Sequence, residues 1–393
     1  MHIIRFAAAA LAALVSTVPA ATAETDVYRI AAVFSLTGPL GFSGISVKKG
    51  SDLAIELHNG GKVLGKPIQI VWEDDETKPQ VTAQKGAKLS ASNPDLMLGS
   101  ANTPSTLALM KITEQRKIPH LITLGGGDPI TGAAKTDYAW RTTIRLDMEN
   151  RTGAAYVRQM KFKNIYGVSF DYQVTRQRWD AFKQLVTSTT ETKIAGESFS
   201  PIENMDFSLI IENAIRSGAD GFWVDLPGTV GTAFLKQAAQ VNLKGKMKLF
   251  GPVVVDDEAA AAIGPGAIGV STGTRWHWSF DNPESKRFVE AFKKKYNELP
   301  DQYAGEAYDG LAWWLAHVEK TGTFDRQKLL AAFATSTWEK SIKGKKTMRA
   351  CDHQALHDGF WGEIVEGPKD GPKYVLKITA VYPAADLFPP CKS

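Results

Sequence analysis

The feature that most limits the fold is an alternation of short apolar strands and helices that runs once along the chain and then starts again. Tyr28 to Ser35 alternates and then runs apolar, as a buried strand does, and ends in the loop Leu36-Thr37-Gly38-Pro39. Gly50 to Asn59 carries apolar residues at helical spacing and is stopped by Asn59-Gly60-Gly61. Pro67 to Glu73 then reads as a strand, Gln80 to Ser92 as a helix and Asp95 to Leu98 as a short buried strand. Ser105 to Arg116 is a helix and Ile118 to Thr123 a strand. After a break near Tyr138 to Asp147 come strands at Tyr166 to Phe170, Ala195 to Phe199, Gly221 to Asp225 and Lys248 to Gly251. Helices at Arg176 to Ser188, Phe207 to Ser217 and Thr232 to Val241 separate them. Such alternation predicts two α/β units in series, each a parallel sheet covered by helices.

Beyond Thr272 the pattern turns helical over Pro283 to Glu298, Gly305 to Thr321 and Arg326 to Thr335. It closes on a strand pair at Gly362 to Val365 and Tyr374 to Val381. A chain that finishes one unit, builds a second and then adds helices crosses between them more than once, which suits a hinge with a cleft. Open α/β sheets bind ligands beyond the carboxyl ends of their strands, and two facing units put both sets of ends on one opening.

The start of the chain sets the compartment. Arg5, the apolar run Phe6 to Val18 and the small-x-small pattern Ala21-Thr22-Ala23 form a signal peptide over residues 1–23, with the mature chain starting at Glu24. The apolar run is shorter than the roughly 20 residues of a spanning helix, and no Cys follows the cut for a lipid anchor, so the expectation is export to the periplasm with no membrane insertion. The mature length of about 370 residues exceeds what one core usually supports. A net charge of +4 and the lack of a basic stripe with interleaved aromatics argue against nucleic acid as a partner. Cys351 and Cys391 are the two cysteines. In an oxidising compartment they read as one disulfide, with two unpaired thiols the alternative.

Catalytic machinery is not visible. There is no G-x-S-x-G and no H-E-x-x-H, and Asp352-His353 are adjacent, so on a strand they would face opposite ways. The G-x-G-x-x-G of Gly264 to Gly269 follows an Ala-rich stretch rather than a first strand, which argues against a dinucleotide, and no cofactor or metal is expected. The acidic run Glu73 to Glu76 reads as a capping turn. Gly125-Gly126-Gly127 follows a strand and reads either as an anion-binding backbone or as a plain tight turn. Phe42, Tyr172, Trp223, Trp276 and Trp278 lie in or near strand ends, as core or as the walls of a pocket; the two tryptophans flank His277 at strand spacing.

At these positions the sequence resembles the periplasmic binding proteins of the leucine/isoleucine/valine-binding family, which serve ABC transporters. The likeness runs through Leu36-Thr37-Gly38-Pro39, Asn59-Gly60-Gly61, Asp74-Asp75, Gly99 to Thr106, Ile118-Pro119, Asp171-Tyr172 and Arg349 to Gln354. It implies the type I periplasmic binding fold: two Rossmann-like lobes joined by three crossings near 140–146, 270–276 and 353–361. Lobe 1 is then 24–143 plus 274–355, and lobe 2 is 144–273 plus 356–393. It also implies a monomer that closes on a small molecule and hands it to an inner-membrane permease. A sensor feeding a signalling receptor is the alternative, and an enzyme on the same scaffold has no supporting motif.

Carried over residue by residue, the resemblance implies a ligand site at Phe42, Asn102, Thr103, Gly126, Tyr172, Val174, Leu226 and Val253, to which the reading of the glycine loop and the aromatics adds Gly125 and Trp276. Thr103 keeps a hydroxyl for a carboxylate, whereas Gly126 lacks the second one. Val253 stands about where amino-acid-binding members carry an acid for the ligand's ammonium. Unless Asp225, Asp256 or Asp257 substitutes, the expected ligand is an aromatic or aliphatic acid without an amine.

Overall fold

A computed structural model describes residues 26–226, 228–388 and 391. The signal-peptide expectation for residues 1–23 lies outside them. The chain runs β1 (Tyr28–Phe34), α1 (Gly41–Leu57), β2 (Lys62–Val63), β3 (Lys66–Asp74), α2 (Pro79–Ser90), β4 (Leu96–Gly99), α3 (Thr103–Arg116), β5 (His120–Ile122) and β6 (Ala139–Arg141). It continues with α4 (Leu146–Met160), β7 (Asn164–Phe170), α5 (Gln173–Thr189), β8 (Lys193–Ser200), α6 (Ser208–Arg216), β9 (Gly221–Asp225), α7 (Gly228–Gln240), β10 (Lys248–Pro252), α8 (Asp257–Ile263) and β11 (Ser271–Thr274). Then follow α9 (Pro283–Tyr296), α10 (Gln302–Thr321), α11 (Arg326–Phe333), β12 (Thr337–Trp338), β13 (Lys346–Met348), β14 (Ala355–Leu356), β15 (Gly359–Glu366), β16 (Tyr374–Tyr382) and α12 (Ala384–Leu387).

Two main sheets result, ordered β2-β3-β1-β4-β5-β6 and β16-β15-β11-β10-β9-β7-β8. The first is parallel apart from the β2–β3 hairpin, and the second is parallel until β11, where β15 and β16 join antiparallel. The central strands β1, β4 and β9 are almost wholly buried, the condition of parallel strands covered on both faces. β1 and β4 share a core with Trp313, Trp314 and Leu311 of α10. In the second sheet β7 and β9 pack on Phe207, Phe234 and Leu235.

The chain passes between the sheets three times: from β6 to α4, from β11 to Trp276, and from β14 to β15. Cys351, in the turn before the third passage, is bonded to Cys391 beyond α12, with Cα atoms 6.0 Å apart. Among the described residues no helix is long and apolar enough to cross a membrane, and no group of three His, Cys, Asp or Glu side chains could hold a metal.

Several elements differ from expectation. α1 starts at Gly41 rather than Gly50. Its small residues are packing surface: a Cβ on Gly44 would lie 1.8 Å from the Ser35 carbonyl oxygen, and one on Gly50 would lie 2.1 Å from that of Ala304 in α10. α4, rich in small and polar residues, was not expected as a helix. Gly264–Ala267 forms a single 3₁₀ turn closing α8, not a phosphate loop. The acidic run is a capping turn. Asp75 is fully buried and accepts hydrogen bonds from Ser35, Ser100, Thr82 and the Thr77 N–H. Asp74 accepts from Leu36, Thr37 and Glu76.

Buried histidines make the fold sensitive to acid. Burial lowers the His120 pKa to about 4, against its hydrogen bond to the Gly99 carbonyl, and likewise lowers His353 to about 4. Between pH 6.5 and about 4 the unfolded chain therefore binds protons that the folded chain refuses. The stability is complete above pH 6.5 and falls as pH drops through that window. Urea midpoints measured across it are expected to decline. His120→Gln should flatten the slope, and an unchanged slope would assign the sensitivity to other groups.

Candidate ligand-binding site

The first side of the opening is built by the start of α3 and the loop after β5. Asn102 is the N-cap of α3, its Oδ1 accepting the Ser105 N–H at 2.8 Å. This capping role of the side chain stands beside the expectation that Asn102 contacts ligand. Thr103 follows, and its hydroxyl sits on the glycine loop: a Cβ on Gly127 would lie 2.3 Å from Thr103 Oγ1. One on Gly125 would lie 2.5 Å from Thr106 Oγ1. Glycine is thus a steric requirement here.

The loop's carbonyls are all engaged. Arg141 Nη1 donates to Gly125 O at 3.3 Å and to Gly127 O at 2.7 Å, and the Leu146 N–H donates to Gly126 O at 2.9 Å. A trans peptide points its N–H opposite to its C=O, so the Gly126 and Gly127 N–H groups face away from these donors. Neither finds a backbone acceptor among the described residues. The arrangement is a buried backbone edge with its donors outward, suited to an anion.

Arg275 stands over this loop from the second passage. Its Nη1 donates to Leu124 O at 3.1 Å and its Nε to Glu149 Oε1 at 3.1 Å, while its backbone N–H meets Gln302. Glu149 in the first turn of α4 also accepts from Arg178 at 2.8 Å, and Arg178 reaches Asp225 Oδ1 at 3.3 Å. Charges therefore alternate from the hinge into the second sheet. Burial opposes the Arg275 charge, but Glu149, Tyr303 and Glu306 outweigh it and raise the pKa. Burial pushes the Asp225 carboxyl up, against the pull of Arg178. Its Oδ2 is buried without a partner.

Of the other expected residues, Tyr172 lies half-exposed at the start of α5, stacked on Phe170, and burial followed by Asp225 raises its pKa. Val174 falls in α5, and its side chain lies outside the described residues. Phe42, 55% exposed, meets Tyr303 edge-on at 5.7 Å. Val253 shares a small opening with Ile144, Glu149, Thr152 and Phe360. Its φ is +50°, a left-handed conformation that costs a β-branched residue on the order of 1–3 kcal/mol. Strain of this kind gathers at functional loops.

Two expectations are corrected. Leu226 is fully buried in the second sheet's core, and Trp276 is 1% exposed, packed on Leu53, Phe288 and Phe292. The Trp276 indole N–H is taken by Ser285 and the Ile342 carbonyl, so the ring is core and not a pocket wall. Trp276 and Trp278 lie in a turn rather than a strand, and Trp278 donates to Asp257 at 2.6 Å. Sequence reading missed Arg275, Glu149, Arg178 and Tyr303. The one available signal was Arg275's place inside the second expected crossing.

A family model described as a periplasmic binding protein matches residues 27–371. The chain is similar to the Leu/Ile/Val-binding protein homolog 6 of Brucella melitensis, 27% identical over 84% of this chain and 86% of that one. It is also similar to the leucine-, isoleucine-, valine-, threonine- and alanine-binding protein of Pseudomonas aeruginosa, at 24% identity over 85% and 88% of the two chains. Among solved structures it is similar to an ABC-transporter solute-binding protein of Rhodopseudomonas palustris in complex with 3,4-dihydroxybenzoic acid. The identity is 25% and the TM-score 0.81, covering 91% of this chain and 98% of that one.

The capping geometry gives a direct test. Asn102→Ala should lower unfolding free energy by about 1 kcal/mol, the usual cost of a lost N-cap. No loss in urea denaturation would set the capping role aside and leave ligand contact as the expectation for Asn102.

Proposed function

Because the chain belongs to the periplasmic binding protein family, we propose that this ABC-transporter solute-binding protein closes on an organic acid that lacks an amine. The preferred class is an aromatic or aliphatic carboxylate, delivered from the periplasm to an inner-membrane permease after removal of residues 1–23. Lobe 1 is taken as 24–143 with 274–355 and lobe 2 as 144–273 with 356–393. The family is one of carriers rather than catalysts, so the enzyme reading falls away.

One observation supports the choice of ligand: each acid that could replace the missing one at Val253 already holds at least one partner, though Asp225 keeps an unpartnered Oδ2. Asp256 caps α8 through the Ala259 N–H. Asp257 accepts from His277, Trp278 and the Leu376 N–H. Asp225 shares its charge with Arg178, and Glu149 lies between two arginines. An ammonium would compete with an arginine at Asp225 and Glu149 and with N–H donors at Asp256 and Asp257, and a buried cation without its own partner costs several kcal/mol. A carboxylate meets the opposite situation at Thr103 and the outward N–H groups of Gly126 and Gly127.

The 3,4-dihydroxybenzoate carried by the Rhodopseudomonas relative agrees with this class, whereas the names of the Brucella and Pseudomonas relatives point to branched-chain amino acids. Thermal shift of ligand-free protein against both sets separates them. An acid at a hundred times its Kd should stabilise the fold by about 2.7 kcal/mol. A response to leucine and none to acids would overturn the proposal while keeping the carrier role. Thr103→Ala should weaken binding of the acid about tenfold, the loss of one hydrogen bond to a charged group. Val253→Glu should move preference toward amino acids; a folded variant that still rejects them would displace Val253 from the site.

A further inference from the structure

We infer that Arg275 is the residue that selects an anion in this cleft, its Nη2 replacing the hydroxyl that Gly126 lacks. The inference rests on the acid-ligand reading above and adds a named charge to it.

Three observations converge. The first is position: a Cβ on Gly126 would lie 3.4 Å from Arg275 Nη2 and 3.2 Å from Leu146 Cδ2. The guanidinium therefore overhangs the place where a hydroxyl-bearing side chain at 126 would sit, and the glycine makes room for it. The second is orientation. Nε and Nη1 are committed to Glu149 and Leu124 O, which aim the planar fork, while Nη2 has no acceptor among the described residues. The third is neighbourhood. Thr103 Oγ1 abuts Gly127, one residue along, so a carboxylate over the Gly126–Gly127 peptide lies between a hydroxyl and a guanidinium N–H.

Because Arg275 is 89% buried, by its side-chain exposure of 11%, its attraction for an anion is poorly screened. For the same reason it repels an ammonium brought to this loop. Selection against amines thus has two sources, the apolar Val253 and the cation of Arg275. Glu149 is a positioning residue in this scheme, since it holds Nε and leaves Nη2 for the ligand.

The alternative is that Arg275 only ties the sheets together through Glu149. Comparing an acid with its neutral amide separates the roles, because a structural loss weakens both alike. Wild type, Arg275→Gln and Arg275→Lys would be titrated calorimetrically with benzoate and benzamide and with hexanoate and hexanamide, after thermal melts confirm folding. For the acid that wild type binds, Arg275→Gln should lose about 30-fold or more in affinity, the amide should change less than about threefold, and Lys should fall between. Equal losses for acid and amide, or no loss, would overturn the role of Arg275 while leaving the acid reading intact. Wild type that binds leucine and neither acid, or binds no acid at all, would overturn both.

Discussion

The guanidinium of Arg141 ties the glycine loop to the ends of the two segments from which the first and third passages leave. It is fully buried and reaches only neutral oxygens: Gln354 Oε1, the carbonyls of Gly125 and Gly127, and the Thr131 hydroxyl. Gln354 in turn donates to the Thr143 and Ala355 carbonyls, and the Arg141 N–H meets the His353 carbonyl. The first and third passages between the sheets are thereby joined through one side chain. Its charge is balanced only at a distance, by Asp128, Asp147 and Asp352, which makes correct placement of every acceptor necessary. The same bonds turn the Gly126 and Gly127 N–H groups away from Arg141 and Leu146, so the first passage and the proposed anion site share a single anchor.

From that anchor the chemistry of the cleft follows from topology. Parallel strands end together, and the segments after β4, β5 and β10 carry Thr103, the glycines and Val253. The charges come from segments that pass between sheets or start the helices after them: Arg275, Glu149 and Arg178. A ligand touching loops from both sheets and the arginine between them favours whichever arrangement brings those groups together, and that difference in affinity is what drives closure.

Much of this architecture was legible in the sequence because buried parallel strands announce themselves as apolar runs between turn residues. β1, β9 and the final hairpin were read nearly in register. The first half of α1 was not, since Gly44 and Ser43 look like loop residues until Ser35 is packed against them. α4 was missed for a related reason: Gly153 and Ala154 are small because Trp223 and Phe182 press on that helix from elsewhere in the chain. In the proposed site, the glycine loop and Thr103 stood out in the sequence, as a triple glycine after a strand admits few uses. Arg275 was not. A lone arginine in a turn looks like surface, and its burial arises only when Leu124, Glu149 and Gln302 converge from distant positions. Trp276 and Trp278 misled in the opposite sense, because a spacing of two implies a shared face only on a strand.

The Cys351–Cys391 bond has a mechanical consequence. One cysteine precedes the third passage, and the other follows α12, which packs on Ile144 and Met148 at the first. A covalent link between two bodies that rotate against each other survives unstrained only if it lies close to the axis, where displacement vanishes. Under the closure proposed above, the bond therefore lies near the pivot. It also closes β15 and β16, with the chain between the two cysteines, into a covalent ring. Such a closure would keep rotation about that point, while separation of the two joined segments is removed from the motions open to the molecule.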